Sequence, residues 1–301
     1  MIESNQNQEA VMSEWTRIPE RYRVPVDEGT GGSLEEFTYA FEGLKRRALV
    51  WLPRAYREEP DRRFPVCFLM HGGGGSEDEF FGGLEKKSPL AHMLDCMIGE
   101  GTIRPLIVVT PTFYRPAEGT DPAKTHAGDA MALTETYWRE LNGALIPAID
   151  AAFRTEADRN SRAFGGFSMG AEATWSVLCY GGTSVRYYIP MSGDFWAVSV
   201  KGGKDHTAET CSRLIGGIRK NGLTAADYEV FAATGTEDIA YEAMKPMVEE
   251  LLTRAPWFSD GDCGGNLTWR VSPGWHAYEW CWDYLLLALT RFFPADAAGG
   301  R

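Results

Sequence analysis

Five residues, Gly166 to Gly170, have the spacing G-x-S-x-G that can place a serine nucleophile on a tight turn. A strand-like run, residues 162–165, precedes them, and a helix-like run, residues 171–180, follows them. Strand, sharp turn and helix form the context in which this pattern makes a nucleophile elbow. Glycines let the backbone turn at a strained serine and leave its hydroxyl exposed. Ser168 is therefore the candidate nucleophile.

A serine nucleophile needs a general base, and in α/β-hydrolases that base is a histidine late in the chain. Of the five histidines, only His206 and His276 follow Ser168. His206 lies in a polar loop that contains two lysines, whereas His276 follows the last strand-like run and precedes the final helix. His276 is the predicted base, and the competing interpretation is a structural histidine packed under Trp275 and Trp280.

The acid of a catalytic triad should lie between the serine and the histidine, just after a strand. The run 228–234 reads as a strand and is followed by Gly235, Glu237 and Asp238. Asp238 is the predicted acid, and Glu237 is the alternative. Asp194, which follows an earlier strand-like run, is a second alternative, or a carboxylate that caps its own loop.

An oxyanion requires two preorganised hydrogen-bond donors. The amide of Met169, directly after the nucleophile, is the first candidate. The second is Gly73, in the loop His71-Gly72-Gly73-Gly74-Gly75, which resembles the HGGG loop of lipases and esterases. A phosphate-binding loop is disfavoured because the lysine and hydroxyl residue of a P-loop are missing. His71 itself is interpreted as structural.

Strands and helices alternate along most of the chain. This alternation predicts an α/β-hydrolase with one doubly wound, mostly parallel sheet and helices on both faces. A kink or break is expected at Pro147. The predicted divisions are a polar, loosely packed lead-in (1–35), the α/β-hydrolase domain (36–295) and a tail (296–301). The strand-like runs are 47–52, 65–70, 106–110, 163–167, 187–191, 228–234 and 267–271, and the helical runs are 84–97, 133–153, 207–218, 243–252 and 278–293.

Composition excludes several classes of partner. The 301 residues carry a net charge of −12, which argues against nucleic acid and anionic membranes. No apolar run has the length of a membrane span, and no signal peptide is visible. The alternatives are a cytoplasmic protein, a chain that starts after a removed signal, and a module of a larger protein. The six cysteines show no C-x-x-C pair and no zinc spacing, and they leave disulfides undecided. No metal or other cofactor is expected.

Taken together, these motifs resemble the family 1 carbohydrate esterases, and most closely the feruloyl esterase modules of bacterial cellulosomal xylanases. The resemblance covers roughly residues 40 to 293. Two of the motifs that carry it, MSGDFW and FAATGTEDIAYEAM, are more specific than G-x-S-x-G. The motifs are FLMHGGGGSEDEF (68–80), PLIVVTPTF (105–113), RAFGGFSMGAEATW (162–175), MSGDFW (191–196) and FAATGTEDIAYEAM (231–244).

The resemblance implies hydrolysis of hydroxycinnamoyl esters, chiefly ferulate on the arabinose side chains of xylan, without a metal. Ser168, Asp238 and His276 fall on the family's nucleophile, acid and base, in agreement with the residue-based choice. Trp196 and Asp194 fall on the segment that lines the phenolic pocket. An indole face can stack on a cinnamoyl ring; the alternative for Trp196 is a buried core residue. A secreted location follows from the substrate class.

Two positions depart from the family pattern and leave other functions open. Ala171 replaces a second glycine that often follows the elbow, and the polar stretch 197–204 forms a different candidate rim for the pocket. The alternatives are an acetylxylan esterase with a small pocket, another acyl-ester hydrolase or an acyltransferase on the same fold. A non-catalytic carbohydrate-binding domain is a further alternative from a different class, since fold alone does not determine function.

Overall fold

One eight-stranded sheet organises the molecule. The computed structural model describes Trp15 and residues 17–24, 31–115 and 127–295. Strand order is β1-β2-β4-β3-β5-β6-β7-β8, with antiparallel pairing at β1–β2 and β2–β4 and parallel pairing from β4 onward. The strands are β1 (Ser33–Phe41), β2 (Leu44–Leu52), β3 (Val66–Met70), β4 (Ile107–Thr110), β5 (Arg162–Phe167), β6 (Tyr187–Met191), β7 (Glu229–Glu237) and β8 (Leu267–Trp275).

Helices cover both faces of this sheet, as the sequence predicts. Most of them connect parallel strands, because a parallel pair needs a crossover that a helix can supply. The helices are α1 (Arg54–Glu58), α2 (Leu90–Gly99), α3 (Ala127–Glu140), α4 (Ile146–Ala152), α5 (Met169–Gly181), α6 (Gly202–Asp205), α7 (Thr207–Lys220), α8 (Tyr241–Leu252) and α9 (Tyr278–Phe292).

Alternation along the central strands divides the core into two layers. In β3, Val66, Phe68 and Met70 pack with α3, α5, α7 and α8, whereas Cys67 and Leu69 pack with α2 and α9. Successive side chains of a strand point to opposite faces, so a strand that is covered on both sides reads as a continuous apolar run. This is why β3 is recognisable in the sequence.

The predicted helix 133–153 is interrupted, although not at Pro147. Helix α3 ends at Glu140, a single π-helical turn spans Leu141–Leu145, and α4 begins at Ile146. Pro147 therefore lies in the first turn of α4, where the missing amide hydrogen costs little. The break is displaced upstream into the π turn, a local irregularity that the position of the proline does not predict.

Two further expectations need correction. The predicted helix 84–97 begins only at Leu90, because Pro89 occupies its N-cap and residues 82–86 form turns. Strand β1 was not predicted, because it is an edge strand with exposed residues on both faces and lacks the apolar run of a central strand.

The described part of the lead-in is packed, contrary to the expectation of loose packing. Ile18 and Tyr22 are buried in the layer beneath α9. Asp283 of α9 accepts hydrogen bonds from the Ile18 amide (2.8 Å) and the Trp15 indole (3.1 Å). One buried carboxylate thus fixes this segment to the domain, which composition alone could not indicate. The predicted domain limits remain predictions.

Two properties concern the molecule's environment. All six cysteines lie in the described residues, and each is a free thiol. Within the described ranges, no helix combines the length and the apolarity that a membrane crossing requires.

A buried ion pair joins the edge of the sheet to α3. Arg46 of β2 and Glu140 of α3 are almost completely buried, and Nε and Oε1 are 2.6 Å apart. The Tyr39 hydroxyl donates to the same carboxylate, and the Arg46 guanidinium also donates to the backbone oxygens of Thr112 and Tyr114. The pair therefore fixes the loop after β4 as well as the helix.

Removal of one partner should leave an unpaired buried charge. We expect Glu140→Ala to lower the free energy of unfolding by roughly 3–5 kcal/mol, because the Arg46 charge remains desolvated. Urea denaturation followed by circular dichroism measures the change. Glu58→Ala, which breaks the exposed Arg54–Glu58 pair, is the matched control and should have a much smaller effect. Equal effects of the two substitutions would contradict the assigned role.

Candidate active site

Ser168 occupies a strained turn between β5 and α5. Its φ of 56° lies in the left-handed region that residues with a side chain rarely adopt. A Cβ atom at Gly166 or Gly170 would collide with the backbone oxygen of Met70. Only glycine therefore allows α5 to approach β3 closely enough for this turn. The G-x-S-x-G spacing follows from this backbone contact.

The structure brings Ser168, His276 and Asp238 together in a hydrogen-bonded chain. His276 Nε2 is 3.0 Å from Ser168 Oγ, and His276 Nδ1 is 2.8 Å from Asp238 Oδ1. The Asp238 side chain is fully buried and also accepts from the Ala240 amide at 2.8 Å. A carboxylate can only accept, so Nδ1–H donates to Asp238 and Nε2 is free to accept the serine proton.

The two alternative acids lie elsewhere. Glu237 is exposed at the end of β7, and no described hydrogen bond joins it to His276. Asp194 is buried; its Oδ1 accepts from the Trp196 indole (3.1 Å) and its Oδ2 from the Gly203 amide (2.8 Å). Burial raises the pKa of Asp194, an effect that these hydrogen bonds oppose. Neither carboxylate is placed to orient the imidazole.

The three residues meet because they follow parallel strands in the same half of the sheet, with only β6 between β5 and β7. Ser168 follows β5, Asp238 follows β7, and His276 follows β8. The chain goes from β3 to β4 on one side of β3 and then crosses back to β5 on the other side. The carboxyl ends of β3 and β5 therefore form a topological switch point. In open α/β sheets, ligands bind in the crevice outside the carboxyl ends of the strands at such a point.

The amide of Gly73, in the glycine loop after β3, has no protein acceptor within the part of the chain that the structure describes. The Gly72 and Gly74 amides donate to the hydroxyls of Tyr278 and Tyr114, each at 2.8 Å, and the Gly75 amide donates to the Gly72 oxygen. Among the described residues, none accepts from Gly73, which lies against the Met169 side chain.

The Met169 amide is at the first position of α5, where helical amides have no intrahelical partner. The two predicted oxyanion donors are therefore both available in the described part of the chain, and they lie on adjoining segments. Their role in catalysis remains a proposal.

His71 has a structural place beneath this loop. It is completely buried, with Nδ1 2.7 Å from the Gly72 oxygen and Nε2 2.7 Å from Thr112 Oγ1. Burial lowers the pKa of His71 to about 4, so the ring is neutral and donates through Nδ1 at neutral pH. The hydrogen bond from Nδ1 to the Gly72 oxygen fixes the turn at Gly72.

Sequence reasoning did not identify the residues that support the loop, namely Thr112, Tyr114 and Tyr278. Thr112 and Tyr114 follow β4, and Tyr278 begins α9. Each uses a hydroxyl to hold His71 or a glycine amide. The available signal was weak: two of these residues follow a strand-like run, but nothing in the sequence indicates which partner each would find.

Trp196, a predicted substrate contact, is half-buried on the loop after β6, whose Gly193 packs against Ser168. Its indole donates to Asp194 Oδ1, so this carboxylate positions the tryptophan. The Gly203 amide donates to Oδ2, so both oxygens of Asp194 already have a protein donor. A Cβ atom at Gly193 would collide with the Ser168 backbone oxygen, which shows how closely this loop packs behind the serine. The geometry favours Asp194 as the capping carboxylate that the sequence analysis left open.

Comparison with known sequences adds an independent finding. The model of the Esterase family matches residues 42–206. Endo-1,4-beta-xylanase Y of Acetivibrio thermocellus is 31% identical over 287 residues, which cover 91% of this chain and 24% of that protein. The chain thus spans about a quarter of the length of this relative.

Solved structures give a similar result. The feruloyl esterase module from Clostridium thermocellum, solved as a serine-to-alanine mutant complexed with sinapinate, has a TM-score of 0.77 and 29% identity. The match covers 95% of this chain and 96% of that one. A ferulic acid esterase from Anaeromyces mucronatus has a TM-score of 0.67 at 17% identity and covers 90% of this chain and 94% of its own, which supports the fold alone. The predicted α/β-hydrolase fold is confirmed.

Replacement of the buried carboxylate separates the two candidate acids. We expect Asp238→Asn to lower kcat by roughly 10⁴-fold, because an amide stabilises the wrong histidine tautomer while preserving the geometry. Glu237→Gln should cost far less, since the Glu237 carboxylate has no bond to the ring. Steady-state kinetics on p-nitrophenyl acetate measure both. A larger loss for Glu237→Gln would refute the assignment of Asp238.

Proposed function

This chain belongs to the Esterase family, and from that premise we propose that it hydrolyses hydroxycinnamoyl esters, chiefly the feruloyl esters of plant cell-wall arabinoxylan. It is a carboxylic ester hydrolase, as the sequence motifs predict. The observation that carries the proposed substrate class is the likeness, over 95% of the chain, to a feruloyl esterase module complexed with sinapinate. A substrate fixed in cell-wall polymer implies action outside the cell.

In the proposed mechanism, Ser168 Oγ attacks the ester carbonyl while its proton passes to His276 Nε2. Asp238 holds the imidazole through Nδ1 and stabilises the cation that forms. The amides of Gly73 and Met169 stabilise the tetrahedral oxyanion. His276 then donates its proton to the leaving arabinosyl oxygen, and the feruloyl group stays on Ser168. Water, deprotonated by His276, attacks this acyl-enzyme and releases ferulate.

The position of Trp196 supports an aromatic acyl group. The indole is partly exposed, packs at the edge of the core, and is held by the buried Asp194 on the loop directly behind Ser168. Aromatic pairs prefer offset or edge-to-face contact, and such a pair contributes about 0.5–1.5 kcal/mol beyond the buried area. An indole that Asp194 holds on the loop packed against Ser168 suits a cinnamoyl ring better than an acetyl group.

Serine-dependent turnover tests the proposed chemistry. We expect wild-type protein to hydrolyse methyl ferulate with a higher kcat/KM than p-nitrophenyl acetate. Ser168→Ala should lower kcat by roughly 10⁴-fold or more with an unchanged circular dichroism spectrum. Hydrolysis of acetate alone would retain the triad and exclude the feruloyl pocket. Full activity of Ser168→Ala would exclude the triad.

Substitution of the tryptophan tests the acyl pocket separately. We expect Trp196→Ala to lower kcat/KM for methyl ferulate roughly tenfold more than for p-nitrophenyl acetate, because only the cinnamoyl ring stacks on the indole. Trp196→Phe, which keeps an aromatic face, is the matched variant and should retain most of the preference. Equal losses on both esters would assign Trp196 to the core instead.

A further inference from the structure

Two exposed apolar side chains stand beside the base and the acid of the candidate triad. Trp275 precedes His276 and is 50% exposed, and Ile239 follows Asp238 and is 68% exposed. Each is the chain neighbour of a candidate triad residue, and exposed apolar surface can mark a binding site. Among the described residues, the large hydrophobic side chains that are exposed are Val24, Leu84, Ile239, Trp275 and Leu287.

The Trp275 indole is held rigidly although it is half exposed. Its ring meets the buried Trp280 ring edge-on, with centroids 5.6 Å apart and an angle of 80°. Gly274 leaves the space that Trp280 fills, since a Cβ atom at Gly274 would overlap the Trp280 indole. The Arg17 guanidinium lies over the Trp280 ring, 3.8 Å from its centroid. Because Trp280 packs against one side of it, Trp275 should lose less side-chain freedom on binding than an unpacked side chain, and its exposed half remains available to a ligand.

A carboxylate lies next to this ring. Glu237 pairs with Trp275 across the β7–β8 ladder, and neighbouring strands are only about 4.8 Å apart. Glu237 is exposed, and within the described ranges no cation or amide is bonded to its carboxylate. Its oxygens are therefore free to accept hydrogen bonds from hydroxyl groups.

We propose that Trp275, Glu237 and Ile239 form a subsite for the neutral sugar on the alcohol side of the ester. The proposal rests on the proposed function. In the proposed mechanism His276 donates its proton to the leaving alcohol, so the alcohol should lie close to His276 and to its chain neighbour Trp275. A sugar presents C–H groups to the indole face and hydroxyls to the carboxylate, whereas an alkyl alcohol would leave Glu237 unused. An acidic polysaccharide would be repelled by Glu237 and by the net charge of −12.

The ratio of two catalytic efficiencies tests the subsite. One substrate is a feruloylated arabinoxylo-oligosaccharide, and the other is methyl ferulate, which has no sugar. We expect Trp275→Ala to lower the ratio of kcat/KM for the oligosaccharide to that for methyl ferulate roughly tenfold. Glu237→Gln should lower it roughly threefold, since an amide oxygen accepts more weakly than a carboxylate. Trp275→Phe should retain most of the ratio.

Leu287→Ala, an exposed apolar side chain on α9, is the control that should change neither efficiency. An unchanged ratio for Trp275→Ala, with both esters still hydrolysed, would overturn the subsite and leave the proposed function intact. Titration with unesterified arabinoxylo-oligosaccharide, followed by tryptophan fluorescence, gives a second measurement that needs no turnover. Equal affinity of wild type and Trp275→Ala there would also overturn the subsite, whereas absence of any feruloyl hydrolysis would overturn the proposed function.

Discussion

The close contact between the elbow and strand β3 is the constraint on which the rest of the site depends. Gly166 and Gly170 lie against the Met70 backbone oxygen, and Ser168 between them adopts a left-handed conformation. This contact places the serine hydroxyl at the end of β5 and the first amide of α5 beside the glycine loop. A larger residue at either glycine would push α5 away and separate Ser168 from the proposed oxyanion donor at Gly73.

Polar satisfaction then decides which groups remain free to react. The hydroxyls of Tyr114 and Tyr278 occupy glycine amides, and Thr112 and Gly72 occupy both nitrogens of His71. Buried polar groups are costly without partners, and in this loop the hydroxyls and the imidazole supply them. The Gly73 amide and the Met169 amide have no acceptor among the described residues, and they are the donors that we propose for a substrate oxygen.

The same principle distinguishes the three carboxylates that the sequence offered. Asp194 uses both oxygens to hold a tryptophan and a turn, and Asp238 is buried against the imidazole. Glu237 stays exposed beside an exposed indole. One position in the chain separates Glu237 from Asp238, yet the end of β7 turns one side chain outward and buries the other. The three carboxylates thus differ in role: Asp238 is the proposed acid, Asp194 positions Trp196, and Glu237 is the candidate sugar contact.

The sequence by itself determined the sheet class, most strands, the elbow and the chain order of serine, acid and histidine, because buried strands and glycine-dependent turns leave local patterns. It did not decide between Asp238 and Glu237 as the acid. It predicted a helix break at Pro147, whereas the break lies upstream of that residue, and it did not reveal edge strand β1. Only the tertiary structure decided which carboxylate meets His276 and which hydroxyls support the glycine loop. Those contacts join residues far apart in the chain, so no local pattern records them.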